Sequence, residues 1–198
     1  MEWIVILASY AFGCFSTGYY IFRLSTGKDI RDLGSGAAGA RNVGRALGAW
    51  GFATTFLVDL AKGALVVWAA RYLGLRPWGV VAAMNAVVIG HIWPLQLGFR
   101  GGKGLATAFG AMLVFDYRLA IASMLLSGAT VVLTRHFTLS GMTGVVLSPA
   151  AAFAMRRPLT SVLGTTLLVA LILIAHRRNI SDLVAEMLPE RVKEKPTA

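Results

Sequence analysis

The chain has 198 residues and a formal net charge of +10, with 57% hydrophobic and only 14% charged residues; its mean hydropathy is +0.68. A soluble domain carries about 25% charged residues, so these proportions exclude an ordinary soluble domain and point to an integral membrane protein. A basic excess on such a chain fits anionic lipid headgroups and not a nucleic acid. Apolar runs of spanning length, roughly 17–25 residues, recur along the whole chain. A single all-α integral membrane domain over residues 1–198 is therefore expected, a polytopic transmembrane helix bundle with no separate soluble part.

Spans are expected near 3–23, 48–72, 77–98, 103–115, 118–134, 140–155 and 158–176. The count is seven, with six as the alternative, because the fourth run is short for a full crossing. The first run, "WIVILASYAFGCFSTGYYIF", has no basic leader or small-residue cleavage pattern and is expected to be a retained helix. Its Cys14 is the lone cysteine, so no intramolecular disulfide can form, and a small buried hydrophobe is the expected role.

The first loop, Ser25 to Gly48, carries six glycines in 24 residues and shows no helical period. Such loops are uncommon unless functional or disordered. Gly34, Ser35 and Gly36, with Gly39 and Asn42 following, let backbone amides approach an oxyanion as a phosphate nest does. Ser35 and Arg41 or Arg45 could add charge-assisted hydrogen bonds. A flexible basic connector on lipid headgroups is the alternative.

In the second span Asp59 and Lys62 share a helical face at a spacing of three, and a structural ion pair is expected. The third span runs into "GHIWPLQLGFRGGKGLAT", where Gly101, Gly102 and Gly104 surround Lys103 and a helix begins just after them. Helix N–H groups and a lysine then point at one place. The spacing is not that of a nucleotide-binding loop, since Gly104 follows the lysine where Ser or Thr would stand. "TRHFTLSG" supplies Thr138, Ser140 and His136, and "HRRNIS" ends the last helix with His176, two arginines and Asn179.

Positive charge sets the orientation. With the first loop cytoplasmic, that side collects Arg23, Lys28, Arg31, Arg41, Arg45, Arg100, Lys103, Arg135, Arg177, Arg178, Arg191, Lys193 and Lys195, thirteen of the nineteen cations. The other side holds Arg71, Arg76, Arg118, Arg156 and Arg157, and Lys62 lies within the second span. The amino terminus is thus expected outside and the carboxyl terminus in the cytoplasm. All the unusual loops fall on the cytoplasmic face.

These motifs together resemble the bacterial acyl-phosphate:glycerol-3-phosphate acyltransferases, small polytopic enzymes of the plasma membrane. The likeness runs over nearly the whole chain: the first loop with "GSGAAGARN", "DLAKG" in the second span, the central "GHIWPLQLGFRGGKGLAT", then "TRHFTLSG" and "HRRNI" in that order. The resemblance implies that the 1-hydroxyl of glycerol 3-phosphate attacks a fatty acyl phosphate, giving lysophosphatidic acid and phosphate without cofactor or metal. It places the binding and catalytic burden on Gly34, Ser35, Gly36, Asn42, Arg45, His91, Lys103, Thr138, His176 and Asn179. Of these, Ser35, Arg45, His91, Lys103, His176 and Asn179 are taken as catalytic. The others, with Arg41, Gly101, Gly102, Gly104, Thr107 and Ser140, are taken as substrate-binding.

The chain departs from the family pattern at several positions. Ala37 stands where asparagine is expected, Arg41 where threonine is, Gly141 where a serine is, and Asp182 and Ala185 where arginine and glycine are. A divergent relative with another phosphorylated acceptor is therefore an alternative. The general base stays open between His91, His176 and a substrate phosphate oxygen. The competing class is a small transporter or scramblase for an organic phosphate or lipid, which also uses glycines and intramembrane charge.

Overall fold

The computed structural model describes residues 1–181. Within them the chain folds into α1 (Glu2–Gly13), α2 (Thr17–Thr26), α3 (Ala40–Leu47), α4 (Ala49–Tyr72), α5 (Pro77–Ile92), α6 (Leu105–Phe115), α7 (Tyr117–Thr134), α8 (Phe137–Val146), α9 (Ser148–Ala154) and α10 (Leu159–Ala175). Five stretches are long and apolar enough to cross a membrane, Glu2–Thr26, Ala49–Tyr72, Pro77–Leu97, Tyr117–Thr134 and Phe137–Ala154; Leu105–Phe115 and Leu159–Ala175 are shorter apolar helices. The seven segments match the expected bundle.

Three details differ from the sequence reading. The first span is a broken pair, interrupted at Cys14–Ser16, and not one helix. The first loop contains a two-turn helix, α3, where no helical period was legible. The sixth span starts at Phe137 and is broken at Leu147, ahead of Pro149 at the start of α9; proline lacks the N–H that would continue the ladder.

The interior is built on α5: the apolar stretch Pro77–Leu97 that contains it is 72% buried against 17% for α7, so α5 is central and α7 peripheral. Val80, Val81, Met84, Val87 and Val88 of α5 pack with Val66 and Val67 of α4, Met112 of α6 and Leu168 and Ile172 of α10. Lipid is as apolar as these side chains, so close backbone packing by small residues holds such helices together. Gly13 of α1 sits against the Val87 carbonyl and Gly90 of α5 against that of Tyr10, with no space for a Cβ at either.

The two ends of the bundle differ in kind. At one end Arg76 donates three hydrogen bonds to Glu2, from its backbone N–H at 3.0 Å and its guanidinium at 3.2 and 2.9 Å. There too Arg157 pairs with Asp116 at 2.6 Å, and Asp116 caps α7. Arg76 and Arg157, assigned to one face by charge counting, are thus both tied down there. At the other end lie the first loop, the α5–α6 loop, the start of α8 and the end of α10. Of the thirteen cations assigned to that face, Arg191, Lys193 and Lys195 lie outside the described residues, as do Asp182 and Ala185.

Candidate active site

The first loop is organised by one amide. Asn42, 4% exposed, donates from Nδ2 to the carbonyl oxygens of Ile30 (3.2 Å), Leu33 (2.9 Å) and Ala37 (3.0 Å), and its Oδ1 accepts from the Ser35 N–H at 3.1 Å. Gly34 and Gly36 lie at φ +54° and +67°, which favours glycine, and a Cβ on Gly34 would strike Asn42 Oδ1. The loop is tied to its neighbour by Ala38 N–H to Gly101 O, 3.1 Å, and by Arg31, which donates to Leu97 O at 2.6 Å. Arg31 also pairs with Asp29 and lies 5.1 Å over the Tyr19 ring. Hydrogen bonds from Arg31 hold the Asp29 carboxyl below its usual range.

The α5–α6 loop folds back over the end of α5. Gly101 N–H donates to Ile92 O at 3.0 Å and Gly102 N–H to His91 O at 3.1 Å. Gly102 lies directly over the His91 ring, so any Cβ there would overlap the imidazole. Gly104, at φ +84°, then starts α6.

These pieces enclose one pocket. Ser35, Ala37, Gly39, Ala40, Arg41, Asn42 and Arg45 form one side; Lys103, Gly104, Leu105 and Ala106 form another; Asp59, His91, Thr138, Gly141, His176 and Asn179 complete the polar part. Phe52, Phe56, Phe109 and Phe137 make an apolar wall, with Phe52 stacked on Phe56 at 5.8 Å and edge-on to Phe137 at 5.9 Å. Arg41 donates to Thr138 and Lys103 to Asn179.

The amides that face the pocket are not those of the expected nest. Ser35 N–H is used by Asn42 and Gly36 N–H by Leu33 O. Instead the N-termini of α3, at Gly39–Arg41, and of α6, at Gly104–Ala106, both line the cavity. A helix N-terminus presents open N–H groups and about half a positive charge, so two of them with Arg41, Arg45 and Lys103 make a strong anion site.

The expected site residues therefore divide. Ser35, Arg41, Asn42, Arg45, His91, Lys103, Gly104, Thr138, His176 and Asn179 line the pocket. Gly34 and Gly36 shape the first loop behind it, and Gly101 and Gly102 pack on the end of α5. Thr107 is fully buried, its carbonyl against Gly63 of α4. Ser140 is 3% exposed and donates to His136 O at 2.8 Å. These six, expected to bind substrate, stand outside the pocket lining, in loop shape and helix packing. The sequence reading missed the phenylalanine wall, signalled only by Phe52 and Phe56 at a spacing of four, and the α3 N-terminus, signalled by Gly39.

Below the pocket lies a buried charged cluster. The expected pair is present, Lys62 Nζ to Asp59 Oδ1 at 2.9 Å, and Thr17 donates to Asp59 at 3.0 Å. Lys62 also donates to Phe15 O at 2.8 Å, lies 3.4 Å from Gly13 O and meets His91 Nδ1 at 2.8 Å. The break between α1 and α2 releases carbonyls that lipid cannot satisfy; Lys62 takes those of Gly13 and Phe15, and Gln96 takes Cys14 O at 2.6 Å. His176, just past α10 and 1% exposed, faces Ile172 O through Nδ1 at 2.9 Å. Burial, with Lys103 adding to it, pushes His176 down to about 4, against the opposing pull of the Ile172 carbonyl.

Residues 3–186 match the family described as glycerol-3-phosphate acyltransferase. A glycerol-3-phosphate acyltransferase 1 of Desulfitobacterium hafniense (strain Y51) is 42% identical over 93% of this chain and 91% of the relative. A glycerol-3-phosphate acyltransferase of Thermus thermophilus is 40% identical over 91% of this chain and 90% of the relative. Among solved structures, the glycerol 3-phosphate form of PlsY (YgiH), an integral membrane glycerol 3-phosphate acyltransferase, superposes with a TM-score of 0.87 at 31% identity, covering 93% of this chain and 92% of that one. Its lysophosphatidic acid form gives 0.83 at 29% identity.

Proposed function

Since the chain belongs to the glycerol-3-phosphate acyltransferase family, we propose that it transfers a fatty acyl group from an acyl phosphate to the 1-hydroxyl of glycerol 3-phosphate. The products are lysophosphatidic acid and inorganic phosphate, the first step of phospholipid synthesis. The setting is the bacterial plasma membrane, with the pocket facing the cytoplasm, where the positive-charge bias puts these loops. The relatives named for glycerol 3-phosphate support the acceptor.

One observation carries the reading: two helix N-termini and three basic side chains converge on a pocket that has four phenylalanines along one wall. Both reactants carry phosphate, which the cationic half suits, and the donor carries an alkyl chain, which the aromatic half suits. The hydroxyl oxygen bonds to the acyl carbon, the bond from that carbon to the phosphate oxygen breaks, and the electron pair leaves with phosphate. Lys103, Arg45 and the amides of α3 and α6 hold charge that grows on the carbonyl oxygen and the departing phosphate. An acyl phosphate is already activated, so fixing the two reactants side by side supplies much of the acceleration. This chain's residues bind and orient both substrates with no cofactor or metal called for, and membrane lipid is the other partner.

The test is lysophosphatidic acid formation by purified, reconstituted protein given glycerol 3-phosphate with palmitoyl phosphate or, separately, palmitoyl coenzyme A. Product from the acyl phosphate alone is expected. Product only from the thioester would overturn the donor, and product with neither, from folded protein, would overturn the reading and favour transport.

A further inference from the structure

His91 and His176 line the same pocket, and their buried partners settle which ring nitrogen of each carries the proton. Three good acceptors surround Lys62 Nζ: Asp59 Oδ1 at 2.9 Å, Phe15 O at 2.8 Å and His91 Nδ1 at 2.8 Å. An ammonium has three N–H donors and no lone pair. The carboxylate and the carbonyl can only accept, and Gly13 O stands farther off at 3.4 Å; an Nδ1 only 2.8 Å from an ammonium nitrogen has to accept, so the remaining hydrogen goes to His91 Nδ1. The single proton of the neutral ring then sits on Nε2.

The other assignments fail on charge. A neutral lysine accepting from Nδ1–H would leave the buried Asp59 carboxylate without a cation, a state that costs several kcal/mol. An imidazolium would set Nδ1–H against an ammonium. His91 Nε2 lies over Gly102, where the missing Cβ leaves it room, and it has no hydrogen-bond partner among the described residues. In His176 the order is reversed. Its Nδ1 faces the Ile172 carbonyl at 2.9 Å, which only accepts, so Nδ1 carries the proton and Nε2 keeps its lone pair.

We propose that Lys62 is a positioning residue that fixes His91 as an Nε2–H donor to the pocket, while the Ile172 carbonyl fixes His176 as an Nε2 acceptor. This rests on the acyl-transfer reading of the pocket. His91 then hydrogen-bonds the substrate oxygen that gains charge, and His176 takes the proton of the attacking hydroxyl. As the oxygen–acyl bond forms, the acyl–phosphate bond breaks with its electron pair on phosphate, and the proton passes from His176 Nε2 to the released phosphate. Lys62 touches no substrate; it acts through the ring it orients.

The experiment is 15N NMR of histidine-labelled full-length protein in bilayers at neutral pH, with each of the three histidines assigned by its own substitution. Expected are His91 protonated at Nε2 and His176 at Nδ1; the reverse at either ring overturns the assignment. In the Asp59→Asn, Lys62→Met pair, which removes both buried charges together, His91 should show mixed tautomers. Its kcat should fall at least about tenfold, with a smaller change in KM. A pair variant that keeps the His91 tautomer and full kcat removes Lys62 from the account.

Should the pair variant not fold, His91→Gln keeps an N–H donor near the Nε2 position. It should stay within about tenfold of the native rate, while His91→Ala loses about a hundredfold or more; equal losses would overturn the donor role. The spectra do not depend on turnover. Absence of lysophosphatidic acid from the native protein would fell the acyl-transfer reading and leave the tautomers to be judged on their own.

Discussion

Replacing Asn42 by alanine tests whether that side chain serves the loop or the ligand. In the structure its amide makes four contacts, three carbonyls accepting from Nδ2 and one N–H donating to Oδ1. The Nδ2 group has two hydrogens for its three carbonyls, so one is shared; with the bond to Oδ1 that is three bonds at about 0.5–1.5 kcal/mol net each, and alanine should weaken the loop by roughly 3 kcal/mol in all. Local opening should rise by about two powers of ten, about tenfold for each 1.4 kcal/mol. The assay is amide hydrogen exchange of reconstituted protein, resolved over 30–42, beside turnover with palmitoyl phosphate and glycerol 3-phosphate.

Exchange at Ser35, Gly36 and Ala38 should accelerate while α4 and α5 stay protected, and most turnover should be lost because Ser35, Arg41 and Arg45 ride on that loop. Asn42→Asp keeps the bond to Ser35 N–H but loses the three donated contacts, so it should fall close to alanine. Loop exchange within about threefold of native would refute the organising role, since the loss of every Asn42 side-chain bond cannot be that silent.

Three further outcomes are expected. Lys103→Ala should lower kcat/KM by about a hundredfold or more and Ser35→Ala should remove most turnover, both with native membrane insertion; near-native rates in both would move the site elsewhere. Gly102→Ala should abolish turnover, because the new Cβ overlaps the His91 ring, and native activity would show that the loop is not seated as described. His176, held at about 4 against an ordinary 6.5, binds fewer protons folded than unfolded between those values. Its contribution, about 3 kcal/mol, is complete above pH 6.5 and is lost as pH falls through 6.5 toward 4. The melting temperature in detergent should therefore drop across that window and His176→Gln should flatten the drop; an unchanged slope would count against it.

Much of the architecture was legible because hydropathy runs report spans directly and cation counts report ends. The Asp59–Lys62 pair was legible because both residues are costly in lipid and three apart on a helix. What these residues also touch was not. The carbonyls of Gly13 and Phe15 become acceptors only once the first span breaks, and nothing in its apolar run marks that break. The separate uses of glycine were not legible: Gly39 and Gly104 cap helices at the pocket, whereas Gly101 and Gly102 pack on backbone and ring, and composition cannot separate these uses. Ser140 bonds back to His136 O of its own helix start, and a hydroxyl used in that way looks the same in sequence as one that serves a ligand.

The shortness of α6 fixes the depth at which two unlike reactants meet. Its eleven residues reach only about 16 Å at 1.5 Å per residue, against a hydrocarbon layer of roughly 30 Å. Asp59, on the pocket wall, lies ten residues past Ala49, about 15 Å down α4. The pocket is thus a shaft sunk into one leaflet. In the proposed reaction a water-borne acceptor would descend that shaft, whereas a lipid-borne donor would already lie at its level, and the product would form among its neighbours in the monolayer.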